Sequence, residues 1–299
     1  MRERMERMVR AAQERICAAL EPLDVRPFQA DPWRHAEGGG GLSRVLQDGS
    51  AFEKAGVNVA SVSGTLHEEA LQAMVPKDDL GAHSRRFAAV GLSIVLHPRS
   101  PMVPTIHCNY RYFELEDGRW WFGGGTDLTP SYLFEEDARH FHATLAAACD
   151  RHDPAFYPRF KKWCDDYFHI AHRGEARGIG GIFFDNLHDR DREALFAFVT
   201  DCTDAFLPAY LPIVERRRSA SWGDRERRWQ GLRRGRYVEF NLMYDRGTRF
   251  GLRTGGRVES ILMSLPLEAR WEYNQEPAPG SPEAATLAVL RRPRDWLGT

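Results

Sequence analysis

Thr105, His107, Asn109 and Arg111 alternate with Ile106, Cys108, Tyr110 and Tyr112. That period of two sets a proton carrier, an amide and a cation in a row on one face of a strand. Neighbours on one strand face lie about 6.6 Å apart, a spacing that suits several contacts to one ligand. Just upstream, Ser93 and His97 alternate with Ile94 and Leu96. If the two runs form a hairpin, keeping like faces together requires paired residue numbers with an even sum. Closure over Pro98–Pro104 then predicts Ser93 opposite Asn109, with Cβ atoms within about 8 Å. The competing reading of the pattern is a sheet whose polar side meets water.

Histidine recurs in segments otherwise built for packing. The chain has 11, and His97, His107, His142 and His172 all lie in such segments. On a helix over EEDARHFHATLAAAC, residues two apart point in roughly opposite directions, and the apolar stripe selects His142 over His140 for the core. His169 and His172, three apart, share a face if their segment is helical. A four-histidine metal site fits the residue types but lacks a diagnostic spacing such as H-E-x-x-H. WWFGGGTDLTP carries three glycines and Asp127 without the order of a phosphate loop, so the glycines read as close backbone approach to a flat ligand or as a tight loop. TGGRVES sets Gly255 and Gly256 before Arg257, where backbone amides and a guanidinium can converge on a carboxylate. The arginine-rich stretch Arg216–Arg236 is broken by Asp224 and Glu226 and reads as a solvated helical face rather than an RNA-binding one.

These residues need elements to hold them. An amphipathic helix is expected from the N-terminus to near Pro22, and β-like pieces at Leu42–Leu46 and Val57–Val62. Strands follow at Gly91–His97, Thr105–Leu115 and Gly118–Gly125, then helices at Glu135–Cys149, Pro158–Ala176 and Asp191–Val214, the last broken near Pro208. Strand character returns at Gly178–Leu187, Arg236–Asp245 and Val258–Pro266, and a short helix is expected at Glu283–Leu290. Short connections between consecutive strands predict an antiparallel sheet. The whole reads as an α+β fold, a large antiparallel β-sheet covered on both faces by helices, in a single domain over 1–299. Residues 1–30 form the N-terminal helix and lead-in, and 274–299 an irregular tail with a short helix.

Hydrophobic residues make up 42% of the chain, ample for a core. Mean hydropathy of −0.50 argues against a membrane span. A formal net charge of −1 predicts no nucleic-acid or membrane partner. Five cysteines without a C-x-x-C pair fit reduced thiols in a cytoplasmic protein; the N-terminal stretch lacks the apolar core of a signal peptide, and Glu3, Glu6 and Glu14 argue against an acid-poor transit peptide.

The blocks GLSIVLHP, PTIHCNYRYFE, WWFGGGTDLTPSY, EEDARHFH, YPRFKKWCDDYF, RGIGGIFFDNL, RGRYVEFNLMYDRGT and FGLRTGGRVESILMSLP occur in this order. With AGVNVAS and GGGGLSRVL, they closely resemble the oxygen-dependent coproporphyrinogen-III oxidases of bacterial type, from about Trp33 to Tyr273. The resemblance implies an enzyme of haem biosynthesis that uses O2 to convert two propionates of coproporphyrinogen III into vinyl groups, giving protoporphyrinogen IX and CO2. It implies no organic cofactor, and a homodimer formed through about residues 237–272. It assigns His107 as proton donor and Ser93, Asn109, Tyr110, Arg111, Gly255, Gly256 and Arg257 as substrate-binding residues. Tyr110 alternates away from its neighbours, so its contact is expected through the backbone. His97, His107, His142 and His172 match positions given to a divalent metal. Where relatives commonly read FFDD this chain has FFDN, so only Asp185 is carried over as a catalytic acid, and Asn186 marks a departure. Arg111 and Arg257 suit a substrate with four propionates. Two other classes stay open: a tetrapyrrole-binding carrier without turnover, and a histidine-metal hydrolase.

Overall fold

The computed structural model describes residues 1–66, 85–253 and 256–298. In chain order the elements are α1 (Arg2–Leu20), β1 (Gln29–Arg34), β2 (Gly39–Gln47), β3 (Phe52–Thr65), β4 (Arg86–Pro98), β5 (Thr105–Leu115), β6 (Trp120–Thr129), α2 (Glu135–Asp150) and α3 (Phe156–Tyr167). They continue as β7 (His169–Ile170), β8 (Glu175–Ala176), β9 (Gly181–Leu187), α4 (Arg192–Asp204), α5 (Phe206–Arg217), α6 (Asp224–Met243), α7 (Arg246–Arg253), α8 (Val258–Leu262) and α9 (Pro282–Arg291). The main sheet has the order β1-β2-β3-β4-β5-β6-β9, antiparallel throughout.

Alternation gives the sheet two unlike faces. Val57, Val59, Leu92, Ile94, Leu96, Ile106, Cys108, Tyr110, Tyr112, Phe122, Ile182 and Phe184 form the apolar one. It packs on the stripes of α1 (Met5, Val9, Ile16), α2 (Phe141, Leu145), α4 (Phe198, Val199) and α5 (Phe206, Tyr210). The stretch Arg192–Arg217 is long and apolar enough to cross a membrane by composition, but it is two helices parted at Ala205 and half buried in this layer. The other face carries the polar row. Its covering elements are α6, α8 and the small hairpin β7–β8, and Ser93 stands opposite Asn109 as the alternation predicts. Met263, just after α8, lies where Gly56 would carry a side chain: a Cβ there would be 1.9 Å from Met263 Sδ.

The expected strands at Arg236–Asp245 and Val258–Pro266 are helical, in α6 and α8. The reason for α6 lies in what it buries. Arg233, Arg234, Tyr237, Phe240 and Asn241 share its inner face, and buried arginines break the apolar stripe by which a helix is read. Glu53 accepts from Arg234 and Glu175 from Arg233, both at 2.6 Å, which makes that burial tolerable. The helix expected to run to Ala176 ends at Tyr167, because His169–Ile170 pairs with Glu175–Ala176 across a turn closed by Gly174 at φ 62°. His169 and His172 therefore do not share a helical face. β1, not anticipated, is an exposed edge strand containing Pro32, a residue confined to such edges.

Candidate active site

Three transverse rows form the floor of the polar face. One runs through Ser43, Asn58, Ser93, Asn109, Gly125 and Phe183, each paired with the next across β2, β3, β4, β5, β6 and β9. To one side lies Gly41, Ala60, Gly91, Arg111, Gly123; to the other Val45, Gly56, Val95, His107, Asp127, Gly181. Five strand spacings at about 4.8 Å separate β2 from β9, about 24 Å; Ser260 and Met263 cover the β2–β3 part, and glycines, an alanine and serines keep the floor low. Apolar side chains close one end: Phe87 stacks on Phe113 and Phe113 on Trp121, with Phe250 of α7 against them. The opposite end is covered by Tyr237 and Phe240 of α6 and by Phe168.

His107 stands on this floor with its side chain 21% exposed. Its Nδ1 lies 2.8 Å from Asp127 Oδ1, so Nδ1–H donates to the carboxylate and Nε2 is left for a substrate. Asp127 is buried and also accepts from Arg177 Nη2, at 2.9 and 2.8 Å. Burial alone would raise its pKa, but Arg177 and His107 outweigh burial and hold the carboxyl below its ordinary range. Burial works against the charged Arg177 as well, and Asp127 more than restores it. The guanidinium is caged by the rings of Phe168, Tyr237 and Phe240 at 4.1, 4.5 and 4.9 Å and donates to Asn241 Oδ1 at 2.8 Å. From the sequence alone Asp127 is named without a role, and Arg177 is not named. The available signal was the acid two residues past GGG, which the β5–β6 register sets beside His107.

Arg111 lies two rows over from His107, on the other side of Asn109. Its Nη2 donates to Asp185 Oδ1 at 2.5 Å and its Nη1 to Asn109 Oδ1 at 3.1 Å. Arg246, at the start of α7, approaches Asp185 Oδ2 at 3.3 Å, so one carboxylate sits between two guanidiniums. Ser93 lies beside Asn109 on the floor. Tyr110, by contrast, points into the apolar layer, where its hydroxyl bonds Thr126 Oγ1 at 2.8 Å; only its backbone borders the floor. Arg257 donates to Asp31 Oδ2 at 2.5 Å and Ser260 Oγ at 3.1 Å. Ser260 in turn bonds Ser43 and accepts from Asn58, on strands β2 and β3. This puts Arg257 toward the far side of the floor from Arg111: Ser43 and Asn109 are three strands, about 14 Å, apart. The Gly256 amide is already used, donating to Gly251 O at 2.8 Å. Gly255 lies outside the described residues.

The four histidines matched to metal positions do not converge. Among the described residues no group of three or more His, Cys, Asp or Glu could hold a metal ion. His97 is buried and donates Nε2–H to Ser264 O at 2.8 Å. His142 sits in the apolar layer with both nitrogens engaged, by Tyr157 Oη at 2.9 Å and Ile179 O at 3.1 Å. Burial, reinforced by Arg234 for His97 and by Lys161 for His142, lowers both pKa values to about 3 and keeps the rings neutral. His172 bonds Tyr244 and Glu239, both at 2.7 Å. This set does not fit a shared metal: its rings occupy different layers, and three of the four, His97, His142 and His172, have both nitrogens bonded to protein.

A wide, low, polar floor with arginines at its margins and a buried carboxylate behind one histidine defines an enzyme for a flat, carboxylate-bearing substrate. The family model for coproporphyrinogen III oxidase matches residues 4–296. An oxygen-dependent coproporphyrinogen-III oxidase of Drosophila melanogaster is 56% identical over 306 residues, covering 99% of this chain and 78% of the relative. The chloroplastic enzyme of Glycine max is 55% identical over 308 residues (99% and 80%), and the mitochondrial enzyme of Homo sapiens 56% over 308 residues (99% and 67%). The chain belongs to the coproporphyrinogen III oxidase family. It is an oxygen-dependent, decarboxylating oxidoreductase of haem biosynthesis.

Proposed function

We propose that this chain binds coproporphyrinogen III flat on the floor between Arg257 and Arg111 and oxidises two propionates to vinyl groups beside His107. The observation that carries this reading is the His107–Asp127–Arg177 line, which leaves one imidazole nitrogen free on a floor wide enough for a tetrapyrrole. Each vinyl group forms when a propionate loses CO2, one C–H proton and two electrons; the electrons go to O2 and the proton to a base. Arg111, supported by Arg246, takes a propionate carboxylate, while Ser93 and Asn109 contact the ring system. His107 Nε2 receives or returns the proton, its tautomer fixed by Asp127. Asp185 balances the two arginines and keeps them from closing too tightly on the substrate. No cofactor other than O2 enters, and no metal step is invoked, because the histidine set does not fit one.

The assembly we propose is a homodimer through about residues 237–272. Of the exposed large apolar side chains among the described residues, Leu242, Met243, Leu252, Val258, Leu267, Trp271 and Tyr273 fall in 242–273, and only Val25 and Trp222 lie elsewhere. Such a concentration marks an association surface. The five free, buried cysteines support a reducing compartment, the cytoplasm. The reading is tested by incubating purified protein with coproporphyrinogen III and O2 in chelator-treated buffer. Protoporphyrinogen IX and two CO2 per macrocycle are expected. Stoichiometric binding without product would support a carrier instead, and activity only after metal is restored would overturn the metal-free account.

A further inference from the structure

Arg111 does not stand upright on the floor. A Cβ built on Gly123 would lie 2.8 Å from Arg111 Nη2 and 2.9 Å from both Cζ and Nε. The guanidinium therefore occupies the space that any side chain at position 123 would need, and it crosses β6 flat to reach Asp185 on β9. The reach depends on a local irregularity. Phe122 pairs with Leu187 and Gly124 with Phe184, so Gly123 alone opposes two residues of β9, Asp185 and Asn186. This is a β-bulge, which re-aims the side chains of the bulged strand. Asn186 has φ 48°, the left-handed region, and its amide donates to Asp185 Oδ1 at 3.0 Å. Asn and Asp both tolerate that conformation better than other side chains.

We infer that Gly123 and Asn186 are positioning residues for the family reaction: the glycine opens the bed on which Arg111 lies, and the left-handed asparagine turns Asp185 to meet it. The pair fixes the height and direction of the arginine that receives a propionate, and so sets how deep the macrocycle sits. On this reading Asn186 has a role that aspartate can fill equally well. Position 186 is exposed and supplies a backbone conformation, which either residue adopts, rather than an acid. It rests on the reading of Arg111 as a propionate anchor.

The test is steady-state kinetics on single and double variants of the whole chain with coproporphyrinogen III. Arg111→Ala is expected to raise KM about tenfold or more, the loss of a charged hydrogen-bond partner. Gly123→Ala is expected to raise KM about tenfold with kcat changed less than about threefold, because the flexible guanidinium end gives way and the strand stays intact. In an Arg111→Ala background the same change moves KM less than about twofold, since nothing remains to be displaced. Asn186→Val mimics Gly123→Ala, and Asn186→Gly rescues that loss. Asn186→Asp adds no new ionisation to the pH profile of kcat. Equal effects of Gly123→Ala with and without Arg111 would overturn the positioning role, as would a new ionisation in Asn186→Asp. An unchanged KM in Arg111→Ala would instead overturn the anchor reading itself, a different and separable result.

Discussion

Histidine does two opposite jobs in this chain, and the difference is set by what each ring touches. His107 has one nitrogen held by a buried carboxylate and the other turned to an open floor. His97 and His142 are sealed in, with pKa lowered to about 3 first by burial and then by nearby cations. For these two the folded pKa lies below the unfolded one, so between about pH 6.5 and 3 the unfolded chain binds protons that the fold refuses. Stability therefore rises with pH across that window and is lost on acidification. His142→Phe, which keeps a ring in the apolar layer, is expected to flatten this dependence. Lowering the pH from about 6.5 to 5 removes about 2 kcal/mol less stability in the variant than in the wild type. Denaturant unfolding at the two pH values measures it, and parallel losses in both proteins would contradict a neutral His142.

At the scale of elements, the sheet was legible and the polar-side cover was not. Strict alternation in Gly91–His97 and Thr105–Leu115 allows only registers with an even sum, closure over Pro98–Pro104 selects one of them, and Ser93 indeed meets Asn109. The same logic separated Tyr110 from Asn109 and Arg111. It failed for Arg236–Asp245, because α6 buries Arg233 and Arg234 against acids from β8 and β3 that no local pattern reveals. The role of Asp127, and Arg177 altogether, escaped for a related reason: 50 residues separate the two, and their meaning lies in their pairing. The α6 cover makes its own prediction. Burial would raise the Glu53 pKa, but Arg227 and Arg234 overcome it and hold the group ionised. Glu53→Ala leaves Arg234 buried without its counter-charge, a loss of about 3 kcal/mol. A fall in Tm on the order of 5 °C or more follows. An unchanged Tm would show that the Arg234–Glu53 pair does not hold α6 to the sheet.

For the whole molecule, the apolar layer supplies stability, and the polar layer carries both the candidate site and the proposed association surface. The two are close: α7 begins with Arg246 on Asp185 and ends among the exposed apolar residues of 242–273. Met243→Glu, a charge set on that surface, is expected to shift sedimenting species from dimer to monomer at micromolar concentration; a wild-type protein that sediments as a monomer would remove the dimer. The account as a whole turns on proton transfer at His107. Its most direct test compares kcat and KM for coproporphyrinogen III under O2 in the wild type, His107→Ala and Asp127→Asn. Loss of a positioned acid–base group is expected to lower kcat about 100-fold or more in both variants, with KM within about threefold of wild type. A His107→Ala enzyme that still forms protoporphyrinogen IX within about threefold of the wild-type rate would contradict the account.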